Sequence, residues 1–165
     1  MRSRTQVTMA EIRSEILQTG NPKLKAVSIE INGSASEIFA LLIDPKKHSI
    51  IDGSNSVKGV NWGPEKLSLG AKFGMRMKIG IPYRITNYVT DFEPNKLIAW
   101  RHLGKWVWRY ELTDLGNGKV RVVESFDGRP SPYQWWLKRR NSYNYVEKAM
   151  AKSLVRLKRL VEEKA

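Results

Sequence analysis

Between residues 57 and 127 apolar and polar side chains change places at nearly every step. From residue 143 onward the spacing widens to three and four. The first pattern is that of half-buried antiparallel strands, the second that of one dry helix face. Phe73, Met75, Met77, Ile79 and Ile81 fall at every second position, with Lys72, Arg76 and Lys78 between them. Trp106, Trp108, Tyr110 and Leu112 alternate with Val107, Arg109 and Glu111. Shorter strands are predicted over Val57–Val60, Leu97–His102 and Val120–Phe126. In the strand Tyr83–Phe92 the apolar positions Val89 and Phe92 stand three apart, which predicts a bulge. Glu93-Pro94-Asn95-Lys96 and Leu115-Gly116-Asn117-Gly118 supply turns. In the last segment, Tyr143–Lys164, the stripe Val146, Met150, Leu154, Leu157 and Val161 predicts one long helix.

Ahead of these strands, Val27, Ile29 and Ile31 alternate on a first strand. Ser34 or Ser36 then caps a helix running to Ile43, and Asp44-Pro45 breaks it before a second short helix to about Ile51. Residues 1–23 read as an extension. Thr8 and Glu11 have capping-box spacing, Met9, Ile12 and Ile16 form a short stripe, and Gly20 and Pro22 end the helix these predict. Residues 24–165 then form one domain. The expected class is α+β: about six or seven antiparallel strands in a curved sheet wrapped around the C-terminal helix, with two short helices after the first strand.

Composition adds limits. The 165 residues, 41% hydrophobic and 27% charged, suit a soluble globular chain. Cysteine is absent, which removes disulfides and thiolate metal sites. Two histidines without a His-Glu-x-x-His spacing leave no metal expected, and no phosphate-binding glycine loop suggests a cofactor. No apolar run reaches the roughly 18 residues of a membrane-spanning helix, and Glu11, Arg13 and Glu15 interrupt any signal-peptide core, so the expected location is cytoplasmic. The net charge of +13 changes the picture more. Residues 132–165 carry nine Lys or Arg against three Glu. Lys138-Arg139-Arg140, directly after Trp135-Trp136, is the candidate contact for an anionic membrane surface or a nucleic acid.

The element order, the junction Leu42-Ile43-Asp44-Pro45, the phrase from Asp91 through Glu93-Pro94-Asn95-Lys96 to Arg101, and Lys119–Glu124 before a long last helix together resemble the START-like (SRPBCC) superfamily. Within it the match is to the polyketide cyclase/dehydrase and lipid-transport group, which includes the birch-pollen-allergen-like proteins. At the position where this group usually has tryptophan after Asp-Pro, the chain has His48. The resemblance implies a helix-grip fold with a cavity between sheet and C-terminal helix that binds apolar or amphipathic, lipid- or polyketide-like molecules. Fold does not decide between carrier, sensor and enzyme.

If the apolar faces of the alternating strands point inward, Met75, Met77, Ile79, Ile81 and Tyr83 line that cavity, with Ile98, Trp100, His102, Trp106, Trp108, Tyr110, Val122, Glu124 and Phe126. From the helix come Met150, Leu154 and Leu157. Its polar members, His48, His102 and Glu124, are the candidates for acid–base work, with Asp52 placed to orient His48. Three readings follow: an apolar-ligand carrier or sensor, a cyclase- or dehydratase-like enzyme, or a basic module for RNA or membrane surfaces. The oligomeric state is open.

Overall fold

The computed structural model describes residues 11–163. Its scaffold is one eight-stranded antiparallel sheet in the order β1-β2-β8-β7-β6-β5-β4-β3. The strands are β1 (Glu15–Leu17), β2 (Leu24–Asn32), β3 (Val57–Trp62), β4 (Lys72–Ile79), β5 (Ile81–Glu93), β6 (Leu97–Arg101), β7 (Val107–Gly116) and β8 (Lys119–Asp127). Helices α1 (Ala35–Leu42) and α2 (His48–Ile51) follow β2, joined by a 3-10 turn at Pro45–Lys47. Helices α3 (Gln134–Arg139) and α4 (Ser142–Glu162) close the chain.

Local chemistry accounts for most boundaries. Ser34 caps α1 in a full capping box: its hydroxyl accepts from the Glu37 N–H, and the Glu37 carboxylate accepts from the Ser34 N–H. Asp44 accepts from the Lys46 N–H at 2.9 Å and starts the 3-10 turn, with Pro45 in its first position. The β7–β8 hairpin turns through Asn117 (φ 53°) and Gly118 (φ 73°), the left-handed pair that a tight hairpin needs. The broken alternation at Val89–Phe92 is a register shift between Val89 and Asp91. Asn141, at φ 52°, separates α3 from α4, so Trp135-Trp136 sit on a helix of their own.

Two expectations change. The sheet has an eighth strand because Glu15–Leu17 pairs with Ala26–Ser28 instead of lying in a short helix. Ser14 Oγ donates to the Ala151 carbonyl at 2.6 Å, and these long-range partners outweigh the weak preference of a short apolar stripe for helix. Thr8 and Met9, on which that helix was based, lie outside the described residues.

Helix α4 packs against β2 and β8, sealing Val27, Ile29, Ile31, Val120 and Val122 against Leu154, Leu157 and Val161. Part of its basic side ties it in place. Arg156 donates to the Asp52 carbonyl, and Lys158 donates to the Glu30 carbonyl at 2.7 Å and pairs with Glu162. Gly53 brings the loop after α2 against α4. A Cβ there would stand 2.5 Å from the Ala149 carbonyl oxygen and 2.6 Å from the Ser153 nitrogen, and its N–H donates to Ser153 Oγ at 2.8 Å. Toward β4 and β5 sheet and helix part, and the site occupies that gap.

Candidate functional site

The gap is a cavity of about 670 Å³, within the size range of small-molecule sites. One wall is the β4–β5 hairpin, lined from Met75 and Met77 in the interior to Ile79, Ile81 and Tyr83 toward its exposed tip. The back wall is Trp100, Trp108, Tyr110, Glu124 and Phe126 on β6, β7 and β8. The roof is Val146, Ala149, Met150 and Ser153 of α4, and the loop Asp52–Ser56 closes the side toward α2.

Of the lining residues read from the sequence, Met75, Met77, Ile79, Tyr83, Trp100, Trp108, Tyr110 and Met150 reach the cavity, as do Ile81, His102, Trp106, Glu124 and Phe126. Leu154 does not. It lies one helical turn beyond Met150, where α4 already rests on β2 and β8, and it is fully buried in core, as is Leu157. Ile98 and Val122 are likewise core residues and not cavity wall.

The polar candidates differ in situation. His48 stacks on Trp100 (ring centroids 4.9 Å, planes 18° apart) and meets Phe73 edge-on. Its Nε2 sits 2.8 Å from the Leu42 carbonyl, so Nε2 carries the proton and donates. Burial holds its pKa below the ordinary imidazole value, and the neutral ring prevails near pH 7. Asp52 does not orient His48. Its carboxylate accepts from the backbone N–H groups of Ser54 and Val57 and from the Ser54 hydroxyl, which fixes the side loop. His102 stands at the mouth, where Nδ1 accepts from the Gly104 N–H at 3.1 Å and burial again lowers the pKa.

Glu124 is the unusual group. It is only 3% exposed, directly across from Tyr110 in the β7–β8 register, and Tyr110 O–H donates to its Oε1 at 2.8 Å. Oε2 is buried without a partner. Desolvation is the main cause that lifts its pKa to about 8; the Tyr110 hydrogen bond opposes it weakly. At neutral pH Glu124 is therefore mostly a carboxylic acid. Among the described residues no hydrogen bond joins Glu124, His48 and His102, and no group of three His, Cys, Asp or Glu could hold a metal.

Apolar side chains stand in the open next to lining residues: Ile81 (78% exposed) at the β4–β5 hairpin lines the cavity itself, Leu103 (83%) follows His102 and Trp135 (65%) precedes Trp136. His102, Trp106, Trp136 and Arg140 form a column. The two indoles stack 6.2 Å apart and the guanidinium lies 5.0 Å above Trp136.

Several lining residues escape a reading by sequence. Ile85 and Asn87 continue the alternation of Ile81 and Tyr83, so their signal was present. Leu137, Arg140 and the side loop enter only through tertiary approach.

A family model described as polyketide cyclase / dehydrase and lipid transport matches residues 26–162, nearly the whole sheet and α4. The chain belongs to this family. Protein Ms6760 from Mycobacterium smegmatis superposes with a TM-score of 0.68 over 93% of this chain and all of that one, at 12% identity. A protein from Arthrobacter aurescens reaches a TM-score of 0.71 over 92% of both chains, at 13% identity. At such identities the likeness speaks for the fold alone. In sequence, the uncharacterized protein Rv0088 of Mycobacterium tuberculosis is 44% identical over 101 residues, 61% of this chain. The match takes in 45% of that relative, so the chain spans less than half of its length. The family's description suggests a hydrophobic ligand-binding module. Among the described residues no helix is long and apolar enough to cross a membrane.

Proposed function

We propose that this member of the family is a non-catalytic carrier or sensor that encloses one apolar or amphipathic, lipid- or polyketide-like molecule between β4–β8 and α4. The observation that carries the reading is the cavity itself, 670 Å³ of methionine and aromatic wall. Thioethers and rings adapt to varied shapes and have little hydrogen bonding to lose to an apolar guest. A cyclase or dehydratase would need a donor and an acceptor held in concert. His48 Nε2 is engaged by the Leu42 carbonyl, His102 stands apart at the mouth, and neither reaches Glu124 by a hydrogen bond. The uncharged probe N-phenyl-1-naphthylamine is expected to bind one per chain with micromolar affinity, read by its fluorescence. Met77→Trp, which fills the wall, should weaken it at least about tenfold, since a bulky ring removes the space and the apolar area together. Absence of binding to the wild-type chain would remove the carrier reading. Native mass spectrometry of the purified protein should show a copurifying apolar molecule.

The same reading gives the rim a purpose: the mouth docks on an anionic bilayer, from which an apolar guest is collected. Lys138, Arg139 and Arg140 adjoin the exposed Trp135, and Ile81 at the start of β5 and Leu103 in the β6–β7 loop are exposed as well. Single-stranded RNA would use rings and cations, but the aliphatic tips Ile81 and Leu103 have no π-face to offer a base. Vesicles with 30% phosphatidylglycerol are expected to sediment the protein, and pure phosphatidylcholine to leave it in solution. Changing Lys138, Arg139 and Arg140 to Gln should weaken vesicle binding about 100-fold, at about 1 kcal/mol per cation. Binding to poly(U) at 150 mM salt without binding to vesicles would select the RNA reading instead.

A further inference from the structure

The cavity wall contains one feature that an apolar guest alone leaves unanswered, the partnerless Oε2 of Glu124. A buried polar atom without a partner costs about 1–3 kcal/mol, and an apolar guest packed over it would leave that cost in place. The atom's surroundings are specific. On one side β2 places Val27, directly opposite Glu124 in register; on the other, β7 places Tyr110. Met150 and Val146 of α4 line the same cavity. Val27 and Val146 have no hydrogen-bonding side-chain atom, and the Met150 thioether is no donor and only a weak acceptor. Tyr110 directs its only hydrogen at Oε1. An oxygen that receives a hydrogen bond from phenol serves as the carbonyl end of a carboxylic acid. The acid's own proton therefore belongs on Oε2, the end without a partner. Tyr110 and Glu124 together hold one O–H donor among the aromatic rings of the back wall, apart from the polar side chains Asn87, Ser54 and Ser56 that line the chamber elsewhere.

We infer that the cavity selects an apolar guest bearing a carbonyl oxygen, held by a hydrogen bond from Glu124 Oε2, with Tyr110 fixing which carboxyl oxygen donates. A ketone, enone or ester carbonyl is a strong acceptor with no proton of its own, so it satisfies the O–H and adds no new unpaired donor. A guest amine would need the ionised carboxylate, which this water-poor wall disfavours. An apolar guest with no acceptor would leave Oε2 as it stands now. Oε2 itself is covered, so the guest carbonyl reaches it by displacing side chains packed over it; Glu124 shares the cavity lining with Trp106 and the β4–β5 hairpin.

The inference rests on the cavity being a binding site, and the test keeps the two apart. Three probes share one ring system: fluorene, 9-fluorenone with a carbonyl in place of the methylene, and 9-aminofluorene. Their dissociation constants are measured by titration calorimetry, with N-phenyl-1-naphthylamine as the control for an open cavity. Fluorenone is expected to bind about five- to tenfold more tightly than fluorene, the gain of one net hydrogen bond. Its carbonyl stretch should shift to lower wavenumber in the complex. Glu124→Leu should bring fluorenone and fluorene to the same affinity and remove the shift, whereas Glu124→Gln, which keeps an N–H donor, should preserve both. Equal affinities in the wild-type chain, or a preference that survives Glu124→Leu, would overturn the inference and leave the carrier reading intact if the naphthylamine still binds. Tightest binding by 9-aminofluorene would overturn it in favour of an ionised Glu124. Failure of every probe, the naphthylamine included, would remove both readings.

Discussion

Leu154→Ala should lower the unfolding free energy by about 3 kcal/mol and leave the affinity for N-phenyl-1-naphthylamine unchanged. The side chain is fully buried and is absent from the cavity wall. Removing three carbons, a methine and two methyls, forfeits their transfer energy and opens a void that the packed neighbours on β2 and β8 fill only in part. Met150, four residues earlier on the same stripe, behaves differently because its far side already borders empty space. Met150→Ala should cost less stability per atom removed and should change probe affinity, since it enlarges the chamber. Urea denaturation and probe titration on the two variants give both numbers. A Leu154 variant that loses ligand with little loss of stability would put the boundary between core and cavity in the wrong place.

Glu124→Gln should make the protein more stable than wild type near pH 8 and nearly equal to it near pH 5. The unfolded carboxyl titrates near its ordinary 4.5, while burial keeps the folded one protonated to about 8. Between those values the folded state holds a proton that the unfolded state has released, so rising pH favours unfolding. The loss begins above pH 4.5, grows by at most about 1.4 kcal/mol per pH unit, and levels off above pH 8. Gln cannot ionise, can still accept from Tyr110, and has no such slope. The groups that face Glu124 act in known directions: the Tyr110 hydrogen bond lowers its pKa, and the Asp52 charge raises it. Tyr110→Phe should accordingly extend the falling limb to higher pH. Melting temperatures at half-unit steps from pH 5 to 9 check this. A wild-type curve parallel to that of Glu124→Gln would mean that Glu124 is ionised throughout.

Much of the scaffold was legible before any coordinates. Strict alternation over Phe73–Ile79 and Trp106–Leu112 dictates strands, because successive side chains leave a strand on opposite faces; the chain then reverses at Gly80, so Ile81, which continues the alternation in sequence, opens the next strand. Their inward members reach the cavity or the core as that rule requires. The edge strand Glu15–Leu17 was not legible. Its stability comes from pairing with Ala26–Ser28 and from Ser14 on Ala151, partners far along the chain that leave no local periodicity. The role of Asp52 was hidden for the opposite reason. Its partners are local backbone N–H groups, and the sequence alone does not say whether a carboxylate near a histidine turns to it or to its own loop.

The amino-acid order by itself determined the α+β class, the inward and outward faces of the long strands, the apolar stripe of α4 and the family, since each rests on periodicity or on motif order along the chain. Tertiary structure decided where that stripe stops being core and becomes cavity roof, between Leu154 and Met150. Periodicity says which side of a helix is dry; it does not say how far the facing sheet bends away. Tertiary structure also gave Glu124 its character, because only the packing of Val27, Tyr110 and α4 around one carboxyl removes the water that would keep it charged.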